Sequence, residues 1–145
     1  MAAIKNERPD WDTIWMRFAR SIAERSIDQR YKVGAVVVSN DNTQVLAMGY
    51  NGDQAGGPNE VESAEPGQSG CIHAEVNALI KMDYNNPQRK RMYVTLSPCK
   101  MCAKAIINAG IDEIVYYETY RDTSGLDMLA RANRGVRKVS LDSLD

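Results

Sequence analysis

Apolar residues recur at spacings of three and four from Trp11 through Ile14, Trp15, Phe18, Ala19 and Ile22 to Ala23, with polar and charged residues between them. That period predicts an amphipathic helix, and Asp10, after Pro9, stands where an N-cap is needed. The pattern then changes. VGAVVV (33–38) and VLAMGY (45–50) are short β-branched or apolar runs on either side of the turn-rich SNDNTQ, which predicts a hairpin. From Asn51 to Gly70 the chain reads NGDQAGGPNEVESAEPGQSG and no period remains. A loop of that length in a compact domain is either functional or disordered. Helical and strand patterns alternate afterwards: a helix over 73–83, a strand over 92–96, a helix over 99–109 stopped by Gly110, a strand over 114–117, a helix over 125–133 and a strand over 136–139, leaving LDSLD as a loose tail.

Strands joined through helices are most simply parallel neighbours with right-handed crossovers. Added to a hairpin, they give a mixed five-stranded sheet with helices on both faces, a three-layer α/β fold. The 145 residues suit one domain with its core over about 10–140, and no internal repeat is present.

Composition narrows the function classes. With 18 Lys+Arg against 19 Asp+Glu, the chain lacks the basic excess that drives nonspecific binding to nucleic acid. The opening MAAIKNERPDW has no apolar signal core, and no apolar run is long enough to span a membrane, so a cytoplasmic protein is expected. Three cysteines are an odd number, too few for a disulfide framework.

Chemistry concentrates in two stretches. In SPCKMCAKAI, Cys99 and Cys102 sit three apart at a helix start, which puts both sulfurs on one side of its first turn. Alone, such a pair serves equally as buried small residues, a redox pair or metal ligands. CIHAEVNAL (71–79) holds the chain's one histidine, His73, and Glu75 two positions on. Residues i and i+2 lie about 200° apart around a helix, so the two cannot share a site beside the helix body but can share one beyond its N-terminal end. If the two helix N-termini converge at one edge of the sheet, their partial positive charge and free N–H groups would favour thiolates and a developing anion. One His and two Cys leave the fourth tetrahedral position open, as in catalytic zinc sites; Cys71 is the remaining soft candidate. Two thiolates neutralise the formal charge of zinc, so a nearby base such as Glu75 is needed to take the proton of its water.

HAE (73–75) with PCKMC (98–102) resembles the H-x-E…P-C-x-x-C signature of zinc-dependent nucleobase deaminases. GYNGDQAGG (49–57), MYVTLSPCKMCAKAI (92–106) and the AGI…VYYETY block ending at Tyr120 resemble deoxycytidylate deaminases of the phage and animal type, over roughly residues 14–139. The resemblance implies a cytidine-deaminase-like fold and hydrolysis of dCMP to dUMP and ammonia. It implies one zinc per chain on His73, Cys99 and Cys102, with Glu75 as the proton carrier. It further implies that Asn51 binds the sugar, the Ala74 N–H and Ser97 carbonyl hold the base edge, and Tyr120 packs on base or sugar. Tyr50 and Asn51 also read as ordinary strand-end residues. For the phosphate dianion, Arg25 and Arg121 are the first candidates, followed by Ser26 and Lys32. Relatives carry a regulatory site for dCTP and dTTP, with magnesium accompanying the nucleotide and part of the site in the segment matching Gly49–Gly52, and they form homo-oligomers up to hexamers. Trp11, Trp15 and Phe18 on one helix stripe read as core or as an interface. The loop over 51–70 is short compared with many relatives, and no spare His or Cys remains for the second, structural zinc that some hold. Other free cytosine nucleotides or nucleosides, tRNA and single-stranded DNA are the alternative substrates; a noncatalytic zinc-stabilised module would have no use for Glu75.

Overall fold

The structure is a computed structural model that describes residues 8–65 and 67–140, so the expected tail at 141–145 lies outside the described residues. Helix α1 spans Trp11–Ala23, and Asp10 caps it by accepting the Thr13 N–H at 2.8 Å. Strands β1 (Gly34–Ser39) and β2 (Val45–Tyr50) form the expected antiparallel hairpin. Its turn carries Asn42 at a φ of 63°, a left-handed conformation that asparagine tolerates better than most residues. There follow α2 (Ala74–Lys81), β3 (Lys90–Leu96), α3 (Lys100–Asn108), β4 (Glu113–Glu118), α4 (Ser124–Arg131) and β5 (Gly135–Lys138). None of the described helices is long and apolar enough to cross a membrane.

The sheet is mixed and five-stranded, in the order β2-β1-β3-β4-β5, with β3, β4 and β5 parallel. One expectation is corrected. β2 and β3, joined through α2, are parallel but not neighbours, because β1 lies between them and pairs antiparallel with both. Burial explains the order. Every residue of β1 is buried, which requires a strand on each side and a helix layer on each face. β2, with Val45 and Met48 exposed, is fit for an edge.

Alternation along the strands separates two cores. On one face Trp15, Met16 and Ala19 of α1 meet Val36, Val38, Tyr93 and Val115. On the other, Ala74 and Ala78 of α2, Ala103 and Ile106 of α3 and Leu129 of α4 cover Ala35, Val37, Met92, Val94 and Ile114. The Trp stripe divides accordingly: Trp15 is core, whereas Trp11 is 52% exposed and stacks on Trp15 at 5.3 Å.

A polar network fastens α1 to the sheet. Asp12 accepts from the Tyr93 hydroxyl and, at 2.8 Å, from the Arg137 guanidinium on β5. Glu113 joins Arg137 to Arg91, at 3.2 and 2.7 Å. Because β2 and β3 run the same way, their carboxyl ends share one end of the sheet. The chain leaves both for helices there, as α/β ligand sites require.

Candidate metal centre and substrate cavity

Both metal-bearing stretches begin helices at that end. His73 is the N-cap residue of α2, yet its side chain makes no capping bond, which leaves the ring free to face α3. Cys99 is the N-cap residue of α3, and its sulfur accepts the Cys102 N–H at 3.5 Å. His73 Nδ1 lies 3.2 Å from Cys102 Sγ and 3.5 Å from Cys99 Sγ. All three donor atoms fall within 4.8 Å of one another, the one such cluster among the described residues. A tetrahedral zinc with ordinary bond lengths has N···S edges of about 3.6 Å and S···S edges of about 3.8 Å. The donor set and its spacing therefore fit that ion.

Titration behaviour agrees with the donor role. The hydrogen bond from the Cys102 thiol, then that from His73, lowers Cys99 to about 4. Cys102 moves the other way, chiefly because it donates to Cys99 and then because it is buried. The pair shares one proton, which a divalent cation would displace. Cys99 also raises His73. Glu75, the second residue of α2, is 4% exposed, and burial pushes its carboxyl up to about 7. Its interaction with the Cys102 side chain places it directly beside the triad.

His73, Cys99 and Glu75 border an open cavity of about 1340 Å³, with the buried Cys102 behind them. Asn51, Ala74, Ser97 and Tyr120 line it as well. Ala74 is the first residue of α2, where a backbone N–H has no partner within the helix. The Ser97 hydroxyl accepts the Tyr120 N–H at 2.7 Å, and Tyr120 meets Tyr31 edge to face at 6.0 Å. The Asn51 side chain is engaged with its own chain: Oδ1 accepts from the Val33 N–H at 2.8 Å, and Nδ2 donates to the Tyr31 carbonyl at 2.7 Å. Cys71 is half-buried on the cavity wall, outside the donor cluster.

Arg25 and Arg121 do not line the cavity. Arg25 is exposed just after α1, and the exposed Arg121 lies 5.5 Å from the Tyr120 ring. The cations on the wall are Arg30 and Lys32. Their segment is built by side-chain caps. Ser26 Oγ accepts from the Asp28 N–H at 3.1 Å, and Asp28 Oδ1 accepts from the N–H groups of Arg30 and Tyr31 at 2.8 and 3.2 Å. A Ser and an Asp each bonding the backbone two residues on is a local turn signal, and it was available in SIDQR. Loop residues Asn59–Glu65 and Gly67–Cys71 supply the remaining wall through members such as Glu60 and Ser63, so the aperiodic stretch belongs to the site. Gly49 to Gly52 has internal work: Gly52 bridges to Ile72, and Asn77 donates to the Tyr50 carbonyl at 2.8 Å.

Three metal donors, a fourth side facing a cavity and a buried carboxyl group beside them are what a metal-dependent hydrolase requires. The family model for the cytidine and deoxycytidylate deaminase zinc-binding region matches residues 9–118, and the chain belongs to that family. The deoxycytidylate deaminase of Mycobacterium phage D29 is 38% identical over 124 residues, which cover 75% of this chain and 95% of the phage protein. The deoxycytidylate deaminase of Saccharomyces cerevisiae is 34% identical over 92% of this chain, which spans 46% of the yeast protein. In three dimensions, the dCMP deaminase of cyanophage S-TIM5, solved in complex with dCMP and dUMP, matches with a TM-score of 0.80 at 34% identity. That match covers 92% of this chain and 99% of the other.

Proposed function

We propose that the protein is a zinc-dependent hydrolase that converts dCMP and water to dUMP and ammonia. The observation that carries the reading is the buried Glu75 carboxyl group beside the His73, Cys99 and Cys102 donors at the cavity. The names of its relatives, deoxycytidylate deaminases, support the substrate. When bound, zinc supplies Lewis-acid activation of water for attack on the ring carbon that bears the amino group.

The chain's own residues do the rest. Glu75 carries one proton of water to the ring nitrogen, then takes the remaining proton of the added hydroxyl group to the departing amine, so that ammonia leaves as the ring carbonyl of dUMP forms, a sequence helped by a pKa near neutrality. The Ala74 N–H and the Ser97 carbonyl hold the base edge, and Tyr120 packs against base or sugar. Asn51 lies on the cavity wall and fixes the backbone of 31–33. Arg30 and Lys32 on that wall receive the 5′-phosphate, in place of Arg25 and Arg121.

The test is ammonia release from a panel of dCMP, dCTP, deoxycytidine, cytidine and a cytosine-containing oligonucleotide. dCMP should have the highest kcat/KM. Faster turnover of the nucleoside or the oligonucleotide would remove the nucleotide assignment while leaving the zinc chemistry in place.

The reading has two further parts. The protein works in the cytoplasm as a homo-oligomer, with a hexamer as one form; Ile80, Tyr84 and Met101 are large apolar side chains about 70% exposed, suited to burial between copies. Light scattering should show more than one chain per particle, and a strict monomer at micromolar concentration would end this part. A regulatory nucleotide, dCTP or dTTP with magnesium, shifts the dCMP saturation curve, and superimposable curves with and without it would end the other.

A further inference from the structure

The starts of α2 and α3 are each pressed by a glycine from another element. Gly49, on β2, lies against the first turns of α2. A methyl group there would sit 2.6 Å from the Ala74 carbonyl oxygen and 2.5 Å from the Ala78 nitrogen. Gly125, near the start of α4, lies against the turn that carries Cys99. Its methyl group would sit 2.2 Å from the Pro98 carbonyl oxygen and 2.8 Å from both the carbonyl carbon and oxygen of Cys99. Neither glycine has a positive φ, so alanine is admissible at both on conformational grounds. Space alone excludes it, and the atoms in the way are backbone, which cannot swing aside as a side chain would.

We infer that Gly49 and Gly125 are positioning residues for the metal centre, setting how far the His73 and Glu75 end of α2 stands from the Cys99 turn. β2 and α4 act as stops for the two helix starts. Leu129, buried on α4, anchors the second stop in the core. Restoring ordinary van der Waals separation at Gly125 would need a shift of roughly 1 Å in α4 or in the Cys99 turn. A zinc site keeps its ligand distances to about 0.2 Å, so a displacement of that size is several times the tolerance. At Gly49 the same overlap would push α2 from the sheet, carrying His73 and Glu75 together.

The inference rests on the metal centre and not on the choice of substrate, so its test reads the metal. Gly125→Ala and Gly49→Ala are compared with the parent by chelator competition for zinc and by the thiolate-to-metal absorption of the cobalt-loaded proteins. Circular dichroism selects conditions in which each protein is folded. The control is Val36→Ala, which removes buried volume on the α1 face and should lower the melting temperature without touching the donors. Each glycine variant should bind zinc 10- to 100-fold more weakly, the range seen when outer supports of a metal site are lost. Gly125→Ala should also shift the cobalt–thiolate bands, because its overlap falls on a cysteine ligand. A folded Gly125→Ala or Gly49→Ala with the parent's affinity and spectrum overturns the inference. So does a Val36→Ala control that weakens zinc as much as they do, since the loss would then be general loosening.

Discussion

The role proposed for Glu75 rests on its position two residues into α2, where burial is nearly complete and the neighbours are the Cys102 side chain and the His73 ring. Replacing it with glutamine keeps the shape and removes the proton acceptor. Glu75→Gln should therefore retain zinc and the parent's circular dichroism while kcat falls at least about 100-fold; near-normal turnover would sink the mechanism. The part proposed for Arg30 and Lys32 is different. A phosphate contact contributes to binding dCMP and nothing to binding deoxycytidine, so Arg30→Ala or Lys32→Ala should raise KM for dCMP about tenfold or more and leave the nucleoside almost unaffected. Equal effects on both would place the cations elsewhere. The grouping of His73, Cys99 and Cys102 with Glu75 beside them was legible in the sequence because each pair lies within one helix turn, where spacing dictates geometry. Arg30 and Tyr31 were not, since a coil has no period: their placement is dictated by Ser26, Asp28 and Asn51, the last from 18 residues away along the chain from Val33.

The nine secondary-structure elements of the described residues were foreseen within about two residues at each end, because caps, turn residues and periodicity are local signals. Strand order was harder. The rule that helix-linked strands are neighbours fails for β2 and β3, and the deciding fact is the two-sided burial of β1. That burial was visible as an uninterrupted apolar run, GAVVV, next to a more mixed β2. Attachment of α1 gives a prediction at this scale. The guanidinium of Arg137, through its hydrogen bond, is the largest influence holding Asp12 below the usual carboxylate range. A carboxyl group with a depressed folded pKa stabilises the protein above its unfolded pKa of about 3.9, and this is lost as pH falls through the lower, folded value. The pair is partly exposed, so about 1 kcal/mol is at stake, or roughly 3 °C. Asp12→Asn should lower the melting temperature by that much at pH 7, and the gap to the parent should close below about pH 4. A gap independent of pH would assign the loss to the cap region of α1 instead of the charge.

For the molecule as a whole, the one donor set among the described residues implies one ion, and metal analysis should return about one zinc per chain, with two tightly held ions contradicting it. The three donors sit at the starts of α2 and α3, which lie together on one face of the sheet, while α1 lies alone on the other. A bound ion thus joins two helices of one layer and touches nothing in the opposite layer. Its removal should accordingly be felt unevenly. Stabilisation by a ligand at 100 times its dissociation constant is about 2.7 kcal/mol, and openings that separate α2 from α3 lose all of it on chelation. Openings that peel α1 alone lose none. Amide hydrogen exchange should then accelerate in α2 and α3 after zinc is stripped while α1 keeps its protection, so that the metal-free protein is one whose two faces open on different timescales.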